Sequence, residues 1–134
     1  MSPSLVQVIA LTLWLGAAAF LSAVVAPSLF AVLPSRTLAG AVVGLTLPVI
    51  YYAGIVVGAA VAGMQVVARG RWSWRGRETL ALVMLASCAV AQFVVTPRIA
   101  RVRTEINGPI ESLPLDDARR VAFGRLHGVS VAWL

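Results

Sequence analysis

Near the end of the chain, "VAFGRLHGVS" (residues 121–130) places Arg125 and the sole histidine, His127, in a glycine-spaced segment with Gly124 and Gly128. An imidazole titrates near neutral pH and is a common metal ligand. The two glycines leave room for a flat macrocycle, so one chemistry open to this stretch is axial ligation of haem or a chlorophyll-type pigment by His127. The other reading is structural. On a helix beginning near Asp116, the side chains of Asp116, Arg120 and His127 share one face, with Arg125 off that stripe. That face would meet Arg98, Arg101 and Glu105 in a polar network at a membrane edge, where an arginine costs far less than at the bilayer centre.

Other chemistry is poorly supplied. A zinc site needs three or four protein ligands, and the chain has neither a second histidine nor a cysteine pair. A proton relay lacks an acidic partner, because all 5 acidic residues lie outside the apolar runs. There is no paired-carboxylate site, nucleophile elbow, glycine-rich phosphate loop or metal-ligand spacing. The expectation is a non-enzymatic protein.

The elements that position these residues follow from composition. Of the 134 residues, 60% are hydrophobic and 12% charged, and the mean hydropathy is +0.91. A soluble domain carries about 25% charged residues. Residues 1–35, 37–68 and 79–97 contain no charged side chain, and each run reaches the ~20 residues that a spanning helix needs. The backbone finds no hydrogen-bond partners in lipid, so these runs are expected to be helices. No positive residue precedes the first run, which is also too long for an ordinary signal core, so it reads as a retained helix. Cys88, inside the third run, has no partner for a disulfide and reads as a small packing residue.

Helices are expected over about 5–33, 38–67, 78–106 and 116–134, with an interfacial turn at 68–77 and a charged connector at 98–120. Pro27 falls late in the first helix and Pro48 inside the second, each a place for a bend. Ser35 or Thr37 would cap the second helix, and Asp116 the fourth. Gly40, Gly44, Gly54 and Gly58 form two small-xxx-small pairs that share one stripe with Tyr51 and Ala62. Such a stripe lets another helix backbone come close, in this chain or another. In the third helix Gln92 and Ser87 would bond to a neighbouring helix. Past Pro97, Ile99, Val102 and Ile106 keep an apolar stripe while Arg98, Arg101, Arg103 and Glu105 point elsewhere, and the helix stops at residues 107–109. Fourteen residues remain from Val121 to Leu134, too few to cross, and the expectation is a native chain that continues.

The charge is +6 and every basic residue is arginine. Arg69, Arg71, Arg75 and Arg77 bracket Trp72 and Trp74, which reads as a lipid-interface segment, with arginines on phosphates and indoles at headgroup depth; a specific lipid or pigment headgroup site is the alternative. Because the arginines flank the apolar runs, membrane lipids are the expected partner and nucleic acid is not. An outside N-terminus would leave Arg36, Arg98, Arg101, Arg103, Arg119, Arg120 and Arg125 in the cytoplasm, the side favoured by the positive-inside rule.

Three stretches, "LWLGAAAFLSAVVAPSLF" (13–30), "VVTPRIARVR" (94–103) and "FGRLHGVS" (123–130), together resemble the transmembrane protein 205-like family of small four-helix membrane proteins. The resemblance implies four helices with the charged segment between the third and fourth, and no defined activity. The expected fold class is therefore all-α, a polytopic transmembrane bundle with three full spans and the start of a fourth helix, multi-pass in a bacterial inner membrane. The expected role is a structural or accessory subunit packing against other transmembrane helices in a multi-subunit complex, respiratory or photosynthetic for example. The alternatives are tetrapyrrole binding at His127 and a small transporter or efflux helper.

Overall fold

The computed structural model describes residues 3–69, 76–106, 108 and 110–132, and among them every regular element is helical. The first helix, α1, runs Pro3–Phe20, widens into a π turn at Leu21–Val25, and continues as Ala26–Val32. Helix α2 is Arg36–Arg69. Helix α3 repeats the pattern of α1: Gly76–Val90, a π turn at Ala91–Val95, then Thr96–Ile106. A short 3-10 turn, Ile110–Ser112, leads to α4, Ala118–Ala132. Three of these helices are long and apolar enough to cross a membrane: Leu5–Val32, Arg36–Val67 and Thr79–Ile106.

The two π turns have one cause. Each ends two residues before a proline, Pro27 in "VVAP" and Pro97 in "VVTP". A proline inside a helix lacks the N–H for the carbonyl four residues back, and its ring crowds that carbonyl. Widening the preceding turn relieves both problems. The Ala26 amide bonds to the Leu21 carbonyl and the Thr96 amide to the Ala91 carbonyl, five residues back in each case, and the Thr96 hydroxyl donates to the same Ala91 carbonyl at 2.9 Å. Both helices continue past their prolines. Helix α2 runs through Pro48 without such a turn.

Ser35 caps α2: its hydroxyl accepts the Leu38 amide at 3.1 Å. At α4 the cap is Asp117 rather than Asp116, and the helix begins at Ala118. The Asp117 carboxylate accepts the Arg119 amide at 2.8 Å, which fits the first free amides of a helix. Asp116 lies one residue too early to reach them.

The glycine stripe of α2 is used inside the chain. A Cβ at Gly54 would stand 2.5 Å from the Cys88 sulfur and 2.8 Å from the Trp14 indole nitrogen. At Gly58 a Cβ would stand 3.1 Å from the Leu85 Cβ and 3.2 Å from the Ala81 carbonyl. The absence of side chains at these two positions lets α3 lie against the backbone of α2, with Ala81 fully buried. At Gly54 it also admits the indole of α1, whose N–H donates to the Ile50 carbonyl at 2.9 Å. Tyr51, Cys88 and Ala91 form the core there, covered by Trp14, Leu47, Ile55 and Met84.

A second tie holds α1 to α2 towards the other end. Gln65 donates its amide to the Gln7 side-chain oxygen at 2.9 Å, and both side chains are buried. Elsewhere the helices turn apolar surface outward: in an 18-residue apolar segment of each of the three long helices, only 11, 11 and 22% of the residues are buried within the chain. Leu45 and Val67 are 79% and 86% exposed.

Candidate anion-binding cavity

At the end of the bundle where α1 turns into α2 and α3 runs out, the glycine stripe does something different. A Cβ at Gly40 would stand 3.2 Å from one Arg103 guanidinium nitrogen, and one at Gly44 would stand 3.9 Å from the other. The flat guanidinium of α3 is thus laid against the backbone of α2. Its other neighbour comes from α4, where the Phe123 ring centroid lies 6.0 Å from the Arg103 ζ carbon, within cation–π range. The Arg103 Nε is buried and finds no hydrogen-bond partner among the described residues.

This corrects the expectation for Arg103, which was assigned to the outward face with Arg98 and Arg101. Position 103 is four residues after Ile99 and three before Ile106, so it shares their face of the helix. Ile106 is buried, Ile99 and Arg103 are half-buried, and Arg98, Arg101 and Glu105 are exposed. The inward arginine fits because α2 presents glycines opposite it.

Helix α4 contributes Arg120, Phe123, Gly124 and His127, again three and four residues apart and so on one stripe. The Arg120 guanidinium donates to the Leu113 carbonyl of the connector. The His127 ring lies nearly parallel to Phe123, 5° between planes with centroids 6.1 Å apart. These groups, with Arg36 and Thr37 at the start of α2, line a partly open cavity of about 360 Å³. Its walls are mainly apolar, from Phe30, Val43, Leu47, Pro48, Ile99 and Ile110, and Arg36, Arg103, Arg120 and His127 are its ionisable groups. Among the described residues, no acidic side chain lines it.

Of the acidic residues near the start of α4, Asp117 is engaged elsewhere. It pairs with Arg119 at 2.9 Å, and Arg119 also donates to the Glu105 carbonyl at 3.4 Å. Hydrogen bonds from the Arg119 side chain and backbone pull the Asp117 carboxyl down to about 2. A carboxylate lowered in the folded state adds stability that is present above its unfolded value near 4 and lost as pH falls through about 2. Asp117→Ala should therefore fray α4, seen as faster hydrogen exchange at the Arg119 and Arg120 amides at neutral pH, and the difference from the parent should vanish at the acid limit.

The polar residues expected to meet are partly brought together. Arg120 and His127 share the cavity, while Arg98, Arg101, Asp116 and Arg125 are exposed and do not line it. Of the expected lipid-interface residues, Arg71, Trp72, Trp74 and Arg75 lie outside the described residues, as do the side chains of Arg69 and Arg77. Gln92 reaches Tyr52 only at a long 3.4 Å.

A family model described as "Domain of unknown function (DUF4149)" matches residues 9–107. The chain belongs to the DUF4149 family. The matched part of the DUF4149 chain holds both π turns, the whole glycine stripe and Arg103, while Arg120, Phe123 and His127 lie beyond it. Two of the stretches noted in the sequence, 13–30 and 94–103, fall inside the match, and 123–130 falls outside. Neither a curated protein nor a solved structure matches the chain.

Two features of this DUF4149 protein escaped the sequence reading. The Gln7–Gln65 pair was signalled only by a lone amide in each of two apolar runs. The inward Arg103 was signalled by its spacing from Ile99 and Ile106, a signal overridden by its charge.

Proposed function

We propose that the chain is a non-enzymatic, multi-pass integral membrane protein of a bacterial inner membrane, with the connector between α3 and α4 on the cytoplasmic side. The observation that supports this reading most is the outward apolar surface of the three long helices, which needs lipid or other helices to cover it. Seven arginines, including Arg36, Arg103 and Arg120, belong to the end with the α1–α2 turn and the connector, which the positive-inside rule places in the cytoplasm. The resemblance of residues 123–130 to the transmembrane protein 205-like pattern supports α4 as a regular part of such a bundle.

Within that membrane the protein works by contact, as an accessory subunit of a larger assembly. Gly54 and Gly58 are already occupied by α1 and α3, so docking falls to outward surfaces such as the one carrying Leu45, Val49 and Val56. After solubilisation in a mild detergent it should co-purify with stoichiometric partner subunits. A lone monomer would retire the accessory role, and release from membranes by a carbonate wash would retire the membrane reading itself.

The tetrapyrrole alternative has less support. Three arginines and one histidine are among the residues that line the cavity, and guanidiniums hold anions rather than ligate iron. An absorption spectrum of natively purified protein without a Soret or Qy band would end it.

A further inference from the structure

Resting on the membrane reading above, we infer that the cavity between α2, α3 and α4 binds the phosphate of an acyl-chain lipid. The phosphate sits among Arg36, Arg103 and Arg120, and the upper part of one chain lies along the apolar wall.

Arginine stays protonated at every physiological pH and its planar fork matches phosphate oxygens. Arg36, Arg103 and Arg120 line one cavity, with no acidic residue among its described lining groups. Like charges gathered in a partly desolvated place repel strongly unless an anion joins them. The Arg103 Nε is a buried donor without an acceptor among the described residues, and a buried donor left unsatisfied is costly. An anion in the cavity answers both costs.

The apolar wall then selects among anions. Free inorganic phosphate would leave Val43, Leu47, Phe30 and Ile99 wet, whereas an acyl chain covers them. The volume of about 360 Å³ lies at the small end of ligand sites, which run from about 300 to 1,000 Å³. It suits a phosphate and the first stretch of one chain, the remainder continuing into the bilayer. Gly40 and Gly44 have a second purpose in this reading: they keep the α2 wall free of side chains where Arg103 and the ligand meet.

The test is native mass spectrometry of the full chain in detergent, titrated with didecanoyl phosphatidylglycerol. The parent should retain one lipid at saturation. Arg103→Gln removes a guanidinium and Gly44→Leu fills the cavity without changing charge; each should weaken binding at least tenfold. Arg125→Gln, at an exposed position off the cavity, should bind within twofold of the parent. Helical circular dichroism and the thermal midpoint are checked for each variant, and if Arg103→Gln does not fold, Arg36→Gln and Gly44→Leu decide. Millimolar inorganic phosphate and decanoate should not displace the lipid. Displacement by phosphate would mean a free-anion site, displacement by decanoate a carboxylate site, and unchanged binding in Gly44→Leu and the arginine variants a lipid held only on the outer surface. Each of these results overturns the inference. A protein that stays in carbonate-washed membranes yet binds no lipid sinks the cavity site alone, whereas release by carbonate sinks the membrane reading as well.

Discussion

Replacing Gly54 by leucine should cost the fold more than any other single change in the bundle. The new side chain would meet the Cys88 sulfur and the Trp14 indole, both closer than 3 Å to its first carbon. Forcing extra methylenes into a packed site costs about 1–3 kcal/mol. Expelling the indole also breaks its bond to the Ile50 carbonyl, and a donor stranded away from a partner costs about 1–3 kcal/mol more. Gly54→Ala should fall between parent and leucine variant, because its single carbon meets the same two atoms. Gly63 is the control. It lies on the same helix with no atom of the described residues within 4 Å of a Cβ, so Gly63→Leu should leave the thermal midpoint in detergent nearly unchanged. Equal losses at 54 and 63 would show that glycine content, and not the close approach of three helices, sets the sensitivity of α2.

The second large effect concerns the buried amides. In Gln65→Leu the side chain of Gln7 loses its partner while remaining buried between α1 and α2. An unpaired buried polar group costs about 1–3 kcal/mol. The double variant Gln7→Leu, Gln65→Leu removes both amides together and should lose less than the sum of the two single losses. The coupling between them should resemble that of side-chain hydrogen bonds in other membrane helices, about 0.6 kcal/mol on average and up to about 1.7. A double-variant cycle read by reversible unfolding in mixed micelles measures it directly. If the two single losses simply add, the bond between the glutamines contributes nothing of its own.

Much of this fold was legible in the sequence because lipid simplifies the reading. Three long uncharged runs leave the backbone one solution, the helix, and the residues of the α2 stripe fall on one face by spacing alone. What the stripe does was not legible. Gly54 and Gly58 receive α1 and α3, while Gly40 and Gly44 receive the head of Arg103; four glycines in one register have two tasks that depend on what stands opposite. The π turns were hidden because they arise from a clash between the Pro27 or Pro97 ring and the turn before it. Their trace is the repeated "VVAP" and "VVTP", which a search for hydrophobic periodicity passes over.

The candidate site was legible in its parts and not in its assembly. Arg120 and His127 share a face of α4 by spacing, and they line the cavity. Their partners across it come from Arg36 and Arg103, which the sequence assigns to a turn and to an outward face. Charge weighs against burial in any reading from sequence, and only the bare backbone at Gly40 makes room for a guanidinium inside the bundle. The shift of the α4 cap by one residue has a local cause. Asp116 and Asp117 are equivalent in sequence, and the Pro114 turn places only the second within reach of the Arg119 amide.

The three-span arrangement, with the cationic cavity at one membrane face, is tested most directly by labelling single cysteines with a membrane-impermeant maleimide. The probes are Ser35→Cys, Ser112→Cys and Thr79→Cys, read in vesicles of both orientations. Cys88 is buried and serves as an unreactive internal background. Ser35→Cys and Ser112→Cys should label from the same side, the cytoplasmic one, and Thr79→Cys from the opposite side. Labelling of all three from one side would contradict the arrangement and leave the arginine cavity without a membrane face to serve.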